Sequence, residues 1–329
     1  MDFNRFIFIF FFFSCLSFGG DFTLNSCDDL FSLENNYNSN VKLTADLDCT
    51  NFILENPIHF NGNLDGQGHT IFGLSINSKS HYAGLFAQLI GAKISNLVLS
   101  DFSLILSSSS QKYHAGLLAG KISSTEINNL SIIGGVIDYS DAYYNPKSLS
   151  AVGLVSGIVE GSKFDELFIK DSSVTVPDGV RRIGLGFGET SYTGFFHTRM
   201  NDVSLSVTNS QASYKSYVGG FVGYAMTGTN IYSLRLKGVE IDISSPVDIS
   251  AVGLVVGSTL NEVSLDKVIV GKGSMYSFDN NYKNISRIGS IAGNISSITT
   301  VNCFSISKRA LNSGLAVVGG KFDVTSNCL

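Results

Sequence analysis

Apolar segments return along this chain at a near-constant interval, each built around two glycines four residues apart. They read AGLLAG at 115–120, VGLVSG at 152–157, IGLGFG at 183–188, VGGFVG at 218–223, VGLVVG at 252–257 and IGSIAG at 288–293. A degenerate copy, AGLFAQ, precedes them at 83–88, and a frayed one, SGLAVVGG, follows at 313–320. The leading glycines, Gly84, Gly116, Gly153, Gly184, Gly219, Gly253, Gly289 and Gly314, are separated by 32, 37, 31, 35, 34, 36 and 25 residues. A period of that length points to units stacked in one dimension, each burying its apolar face on its neighbours.

Each unit follows one plan. A first strand is expected to carry the glycine pair. After a short turn a second strand follows: ISNLVL at 94–99, INNLSI at 127–132, FDELFI at 164–169, MNDVSL at 200–205, IYSLRL at 231–236 and LDKVIV at 265–270. A shorter third strand reads FSLIL at 102–106, VIDY at 136–139, VTV at 174–176 and VEIDI at 239–243. A polar loop of variable length then closes the unit. In ISNLVL the apolar Ile94, Leu97 and Leu99 break strict alternation, which predicts a bend or bulge near Asn96. Three strands per unit describe one coil of a parallel β-helix, an all-β solenoid. About eight coils, each about 4.8 Å deep, would span roughly 35–40 Å. The glycine pair is expected to face inward, letting one wall approach the others. The two open ends of such a stack expose strand edges and need caps.

The first 19 residues read as a secretory signal. Arg5 gives a positive start, residues 6–13 form an apolar run rich in Phe, and Ser17 and Gly19 stand at the −3 and −1 positions of a cleavage site. That run is too short for a comfortable transmembrane span, and no later stretch qualifies. Beyond it four cysteines remain, Cys27, Cys49, Cys303 and Cys328, two near each end. An even number in an exported chain suggests disulfides; three connectivities are open, and proximity favours Cys27–Cys49 and Cys303–Cys328. Asn129, Asn284 and Asn294 open N-glycosylation sequons. Net charge is −5 and only 15% of residues are charged, with no basic run, so nucleic acid is not an expected partner. Hydrophobic residues make up 44%, with 34 Gly and only 4 Pro, which fits a β-rich body with many tight corners rather than disorder.

Residues 20–60 are expected to form an N-terminal cap, with a short helix from Cys27 and a strand over 41–47. Residues 61–329 form the solenoid. It opens with LDGQGHTIFGLSI at 64–76, where Gly66 and Gly68 permit a sharp turn and alternation predicts Phe72, Leu74 and Ile76 inward. This leader, followed by AGLFAQLIGAKISNLVLSD, resembles the GLUG-type repeat proteins, and the likeness runs from Asn61 to Gly320. Gln88 departs from the pattern by replacing a glycine, and IGLGFGETSYTGFFHTRM is an irregular copy. The resemblance implies a right-handed parallel β-helix outside the cell, often in adhesins and surface coats. It implies no catalytic set and no cofactor.

Candidate chemistry is sparse. Asp65 and His69 read as turn residues, with Asp65 satisfying backbone donors, rather than as an acid/base pair. The best enzymatic cluster is Asp178, Arg181, Arg182 and Glu189, beside a glycine pair; its duller reading is a solvated corner of local ion pairs. The loops entering the glycine strands carry aromatic residues. Stacked in phase, Tyr82, Tyr113, Tyr144, Tyr214 and Tyr217 would line one edge, a strip able to stack on sugar rings and hydrogen-bond them. Ranks of Thr suited to ice are absent from the sequence pattern, and no metal-ligand set is apparent. The expected function is therefore non-enzymatic binding of a glycan or matrix component through corner loops, or a structural role. The alternative is a β-helix polysaccharide lyase or glycoside hydrolase. An enzyme predicts a groove with three or more convergent polar residues from neighbouring coils. A binding module predicts an even, loop-decorated surface.

Overall fold

A computed structural model describes residues 21–106, 113–139, 150–177, 180–208, 216–243, 249–278, 287–295 and 299–306. Within these the chain is a parallel β-solenoid with one short α-helix, Cys27–Phe31, and a 3-10 turn, Ser32–Asn36. Strand pairing among the described residues is parallel throughout. Three walls result, of 18, 8 and 7 strands. About six turns are complete, from Tyr82–Ala83 to Met275–Phe278, and a partial one follows from Ile288–Gly289 to Thr300–Ile306. Sequence spacing predicts eight; the last, at Gly314, lies outside the described residues.

The glycine pair does not ride on one strand. It straddles a corner. In the third turn the narrow-wall strand Ala151–Val152 ends just before Gly153, and the next strand, Ser156–Glu160, contains Gly157. The corner is closed backbone against backbone. A Cβ on Gly157 would sit 2.6 Å from the amide nitrogen of Ala115, in the narrow strand of the turn before. Gly120 stands in the same relation to Tyr82, and Gly188 to Val152. The residues between the glycines stay hydrogen-bonded from turn to turn, as in Leu117 N to Leu154 O (2.8 Å) and Leu154 N to Leu185 O (2.9 Å). Gln88 now has a reason. The turn before it contributes Ile58–Phe60 to the eight-stranded wall but no strand to the seven-stranded one, whose first member is Tyr82–Ala83. The preceding turn thus offers no narrow strand for position 88 to pack against, so that position needs no glycine.

The predicted second and third strands belong to one broad wall. Lys93–Ser100, Glu126–Ile133 and Lys163–Lys170 stack in register, and in the next two turns second and third strands merge into the 15-residue strands Gly194–Thr208 and Thr229–Ile243. The bend expected at Asn96 is present and repeats. Asn96, Asn129, Glu166, His197, Ser233 and Lys267 occupy one register column, all with φ between 50 and 60°. This left-handed residue lets Ile94, Leu97 and Leu99 all point inward, where each is buried. A similar turn corrects the leader. Ile71 and Leu74 are both buried while Phe72 is half-exposed, because Gly73 at φ +75° resets the alternation.

Corners carry buried hydroxyls that the apolar pattern did not announce. Thr125, Ser162 and Thr193 each donate to the carbonyl two residues earlier, at 2.8 to 2.9 Å, and Ser162 also accepts from the amide of Thr125. The interior is filled by aliphatic rows and a cluster of Phe164, Phe187, Phe195 and Phe221, with ring centroids 4.7 to 5.4 Å apart.

The N-terminal end is plugged. Asp21–Leu24 pairs with Asn40–Leu43, and the helix is capped reciprocally, Ser26 Oγ accepting from Asp29 N while the Asp29 carboxylate accepts from Ser26 N. Leu24, Leu30 and Leu33 are fully buried over the first turns. Cys27 and Cys49 form the expected disulfide, 22 residues apart. Of the other expected pair, Cys303 lies in the strand Thr300–Ile306, whereas Cys328 lies outside the described residues, as does the signal segment.

Two outcomes are expected. Gly157→Ala should cost about 3 kcal/mol by overpacking the corner, whereas Gly91→Ala, whose Cβ meets nothing within 4 Å but whose φ is +65°, should cost about 1 kcal/mol. Denaturant melts of the two variants check the order. Reducing the Cys27–Cys49 bond should remove about 3 kcal/mol from the cap by freeing its loop, and the resulting proteolytic nicking should fall N-terminal to the first complete turn.

Candidate functional site

Outward side chains on the broad wall fall into rows, since each row is one register position repeated in every turn. On one side of the bend the row reads Ser95, Asn128, Asp165, Phe196, Tyr232 and Asp266. On the other it reads Val98, Ser131, Phe168, Arg199, Arg235 and Ile269. A groove of about 400 Å³ opens along the bend on the side of the second row, lined by Asn129, Glu166, Leu167, Phe168, His197 and Arg199. These residues come from three successive turns. His197 Nδ1 lies 2.8 Å from Asp165 Oδ1. Beside them Phe196 and Tyr232 form a tilted pair, centroids 6.3 Å apart, with Lys163 over the first ring at 5.6 Å and Lys267 over the second at 4.6 Å. Lys267 Nζ also donates to the Tyr232 hydroxyl, which holds the lysine pKa above its ordinary value.

Toward the cap the same face carries an amide ladder. Asn129 Nδ2 donates to Asn96 Oδ1 (3.1 Å), and Asn96 Nδ2 donates to Asp65 Oδ1 (3.0 Å). Asp65 also accepts from the backbone of Gln67 at 3.0 Å. These donors, the Asn96 amide foremost, hold the Asp65 carboxyl below the usual carboxylate range against opposing desolvation. Asp65 and His69 are not partners: His69 Nδ1 faces Asp46 Oδ1 at 3.2 Å. A second hollow, about 360 Å³, lies here, with Lys42, Asn63, Asp65, Lys93 and Ser95 among its lining residues.

The other predicted residues are dispersed. Arg182 and Glu189 meet as a half-buried ion pair, with the guanidinium over the Tyr224 ring at 5.3 Å and Tyr217 packed on Tyr224 at 4.9 Å. Burial lowers the pKa of Arg182, and burial likewise raises that of Tyr224. Arg181 is adjacent, and Asp178 lies outside the described residues. Tyr82 is half-exposed and stacks on His114, centroids 5.5 Å apart. Tyr113 cannot join a surface strip: it is fully buried, edge-on to Tyr139 at 5.8 Å. Tyr144 and Tyr214 lie outside the described residues, as does Asn284. Asn129 is exposed in mid-strand, and Asn294 Nδ2 donates to Ser258 Oγ at 3.0 Å.

The sequence pattern does not single out Phe196, His197 and Arg199, because MNDVSL reads as the second strand of the irregular turn; Tyr232, in the correctly placed IYSLRL, gains its meaning only from Phe196 beside it. The true partner of FDELFI is FFHTRM, with Phe164 opposite Phe195 and Phe168 opposite Arg199. Aligning FFHTRM with FDELFI by their apolar positions was the available signal.

Fold and groove together define a parallel β-solenoid with an open trough across its broadest wall. Its path is similar to that of a solved protein from Bacteroides ovatus, described provisionally as an immunoglobulin A1 protease, with a TM-score of 0.58 and 14% identity over 88% of this chain and 85% of that one. At that identity the likeness is one of fold. No family model matches the sequence, and no curated protein matches it. Among the described residues, no helix is long and apolar enough to cross a membrane.

The Asp65 ladder gives a signed expectation. Its depressed folded pKa means that the ionised carboxylate contributes stability above the unfolded value of about 3.9, which is lost as pH falls through the lower folded value. Asn96→Ala should move the Asp65 carboxyl back up toward that value in a carbon-detected NMR titration, and an unmoved resonance would show that the ladder does not hold it.

Proposed function

We propose that this protein is an exported glycan-binding solenoid and that it binds along the trough of the broad wall. The observation that carries the reading is the convergence of Asn129, Glu166, Phe168, His197 and Arg199 from three successive turns, beside the Phe196–Tyr232 pair. Aromatic faces beside amide, carboxylate and guanidinium groups suit sugar rings, which present an apolar face and a rim of hydroxyls. The signal expected from the sequence of residues 1–19, together with the cap disulfide, supports work in an oxidising compartment. The site differs from the corner strip expected from sequence, since one of its five tyrosines is buried.

A second reading is favoured by the same convergence, which is what a carbohydrate-active enzyme predicts. There His197, paired with Asp165, and Glu166 would supply the proton-transfer groups. Glycan-array retention and turnover assays on pectin, alginate and related polymers separate the two. Binding without turnover is the expected result. Phe196→Ala with Tyr232→Ala should weaken retention about tenfold, corresponding to about 1.4 kcal/mol. Turnover lost in His197→Ala would establish the enzyme, and a wild-type chain that retains no glycan would end both readings.

A further inference from the structure

Beyond the bend, the outward row of the third, fourth and fifth turns reads Phe168, Arg199 and Arg235. The next outward row reads Lys170, Asn201 and Lys237. No carboxylate occupies either row across these turns. Arg199 and Arg235 are directly opposite on neighbouring strands, about 4.8 Å apart along the stack. Both are exposed, and among the described residues neither has an ion-pair partner. Lys170 is paired with Asp171 at 3.1 Å and adds little net field. Like charges directly opposite on a sheet destabilise it. A pair that costs the fold stability and lacks an internal counter-ion is suited to an external one.

We propose that the trough takes a linear anionic glycan, whose carboxylate or sulfate groups bind the Arg199–Arg235 pair. This rests on the glycan-binding reading above and names the class of ligand. The guanidinium fork matches both groups bidentately, and its repetition along the stacking direction fits a polymer laid parallel to the axis. Glu166, which lines the same groove, accepts from sugar hydroxyls. Asp165 is engaged by His197 and lies across the bend.

Retention on immobilised polymers tests this, using polygalacturonate against its methyl ester and carrageenan against unsulfated agarose. The charged member of at least one pair should be held at least tenfold more tightly than its neutral counterpart, and the preference should shrink as salt rises. Which pair shows it identifies carboxylate or sulfate as the anion. The double variant Arg199→Gln, Arg235→Gln should erase the preference while melting no lower than the wild type, because the like-charge repulsion is relieved. Equal retention of charged and neutral polymers overturns the anionic assignment and leaves glycan binding standing. A preference that survives the double variant overturns the assignment to these arginines. Retention of no polymer removes both this inference and the reading beneath it.

Discussion

At the corner where a narrow strand turns into the next wall, main chain packs directly against main chain. Gly120, Gly157 and Gly188 lie there against Tyr82, Ala115 and Val152 of the preceding turn, at distances no side chain could share. That contact fixes the phase of every turn relative to the last. Once phase is fixed, the broad wall must pair in register, so aliphatic rows run continuously through the interior. The hydroxyl-bearing corners and the aromatic cluster follow from the same alignment. Dispersion and hydrophobic burial stabilise the stack, but they do not by themselves choose its register.

The second organising element is the left-handed residue in the middle of each broad strand. It makes a sheet that would be flat fold along a line, and the line becomes the trough. Asn is at ease in that conformation, whereas Glu166 and Lys267 are not. The column therefore changes character along its length. Near the cap it is a hydrogen-bonded amide ladder joined to Asp65. Further on it holds a carboxylate, an imidazole and an ammonium group that reach solvent. Backbone geometry is shared by all these positions, so their differing side chains are free to serve the surface.

The period, the cap helix at Cys27, the Cys27–Cys49 bond and the bend at Asn96 could be read from the chain because each has a local signature. Glycine spacing marks a repeat, and broken alternation marks a bulge. The location of the glycines relative to the corner could not be read, because a strand and a tight arch present the same apolar string. The parity of Ile71 and Phe72 depended on one glycine dihedral. The trough was missed because it exists only between turns. Its members are far apart in sequence, and the turn that supplies His197 and Arg199 is an irregular copy. Tyr113 shows the reverse error: an aromatic residue entering a glycine strand looked like surface and is core.

Because each turn addresses only its neighbours, the solenoid behaves as a ruler. Inserting one more copy of the unit would lengthen the trough by a single strand spacing, about 4.8 Å, and add one graduation to whatever lies along it. Reach can thus be adjusted in whole steps by duplication, while the N-terminal plug stays as it is.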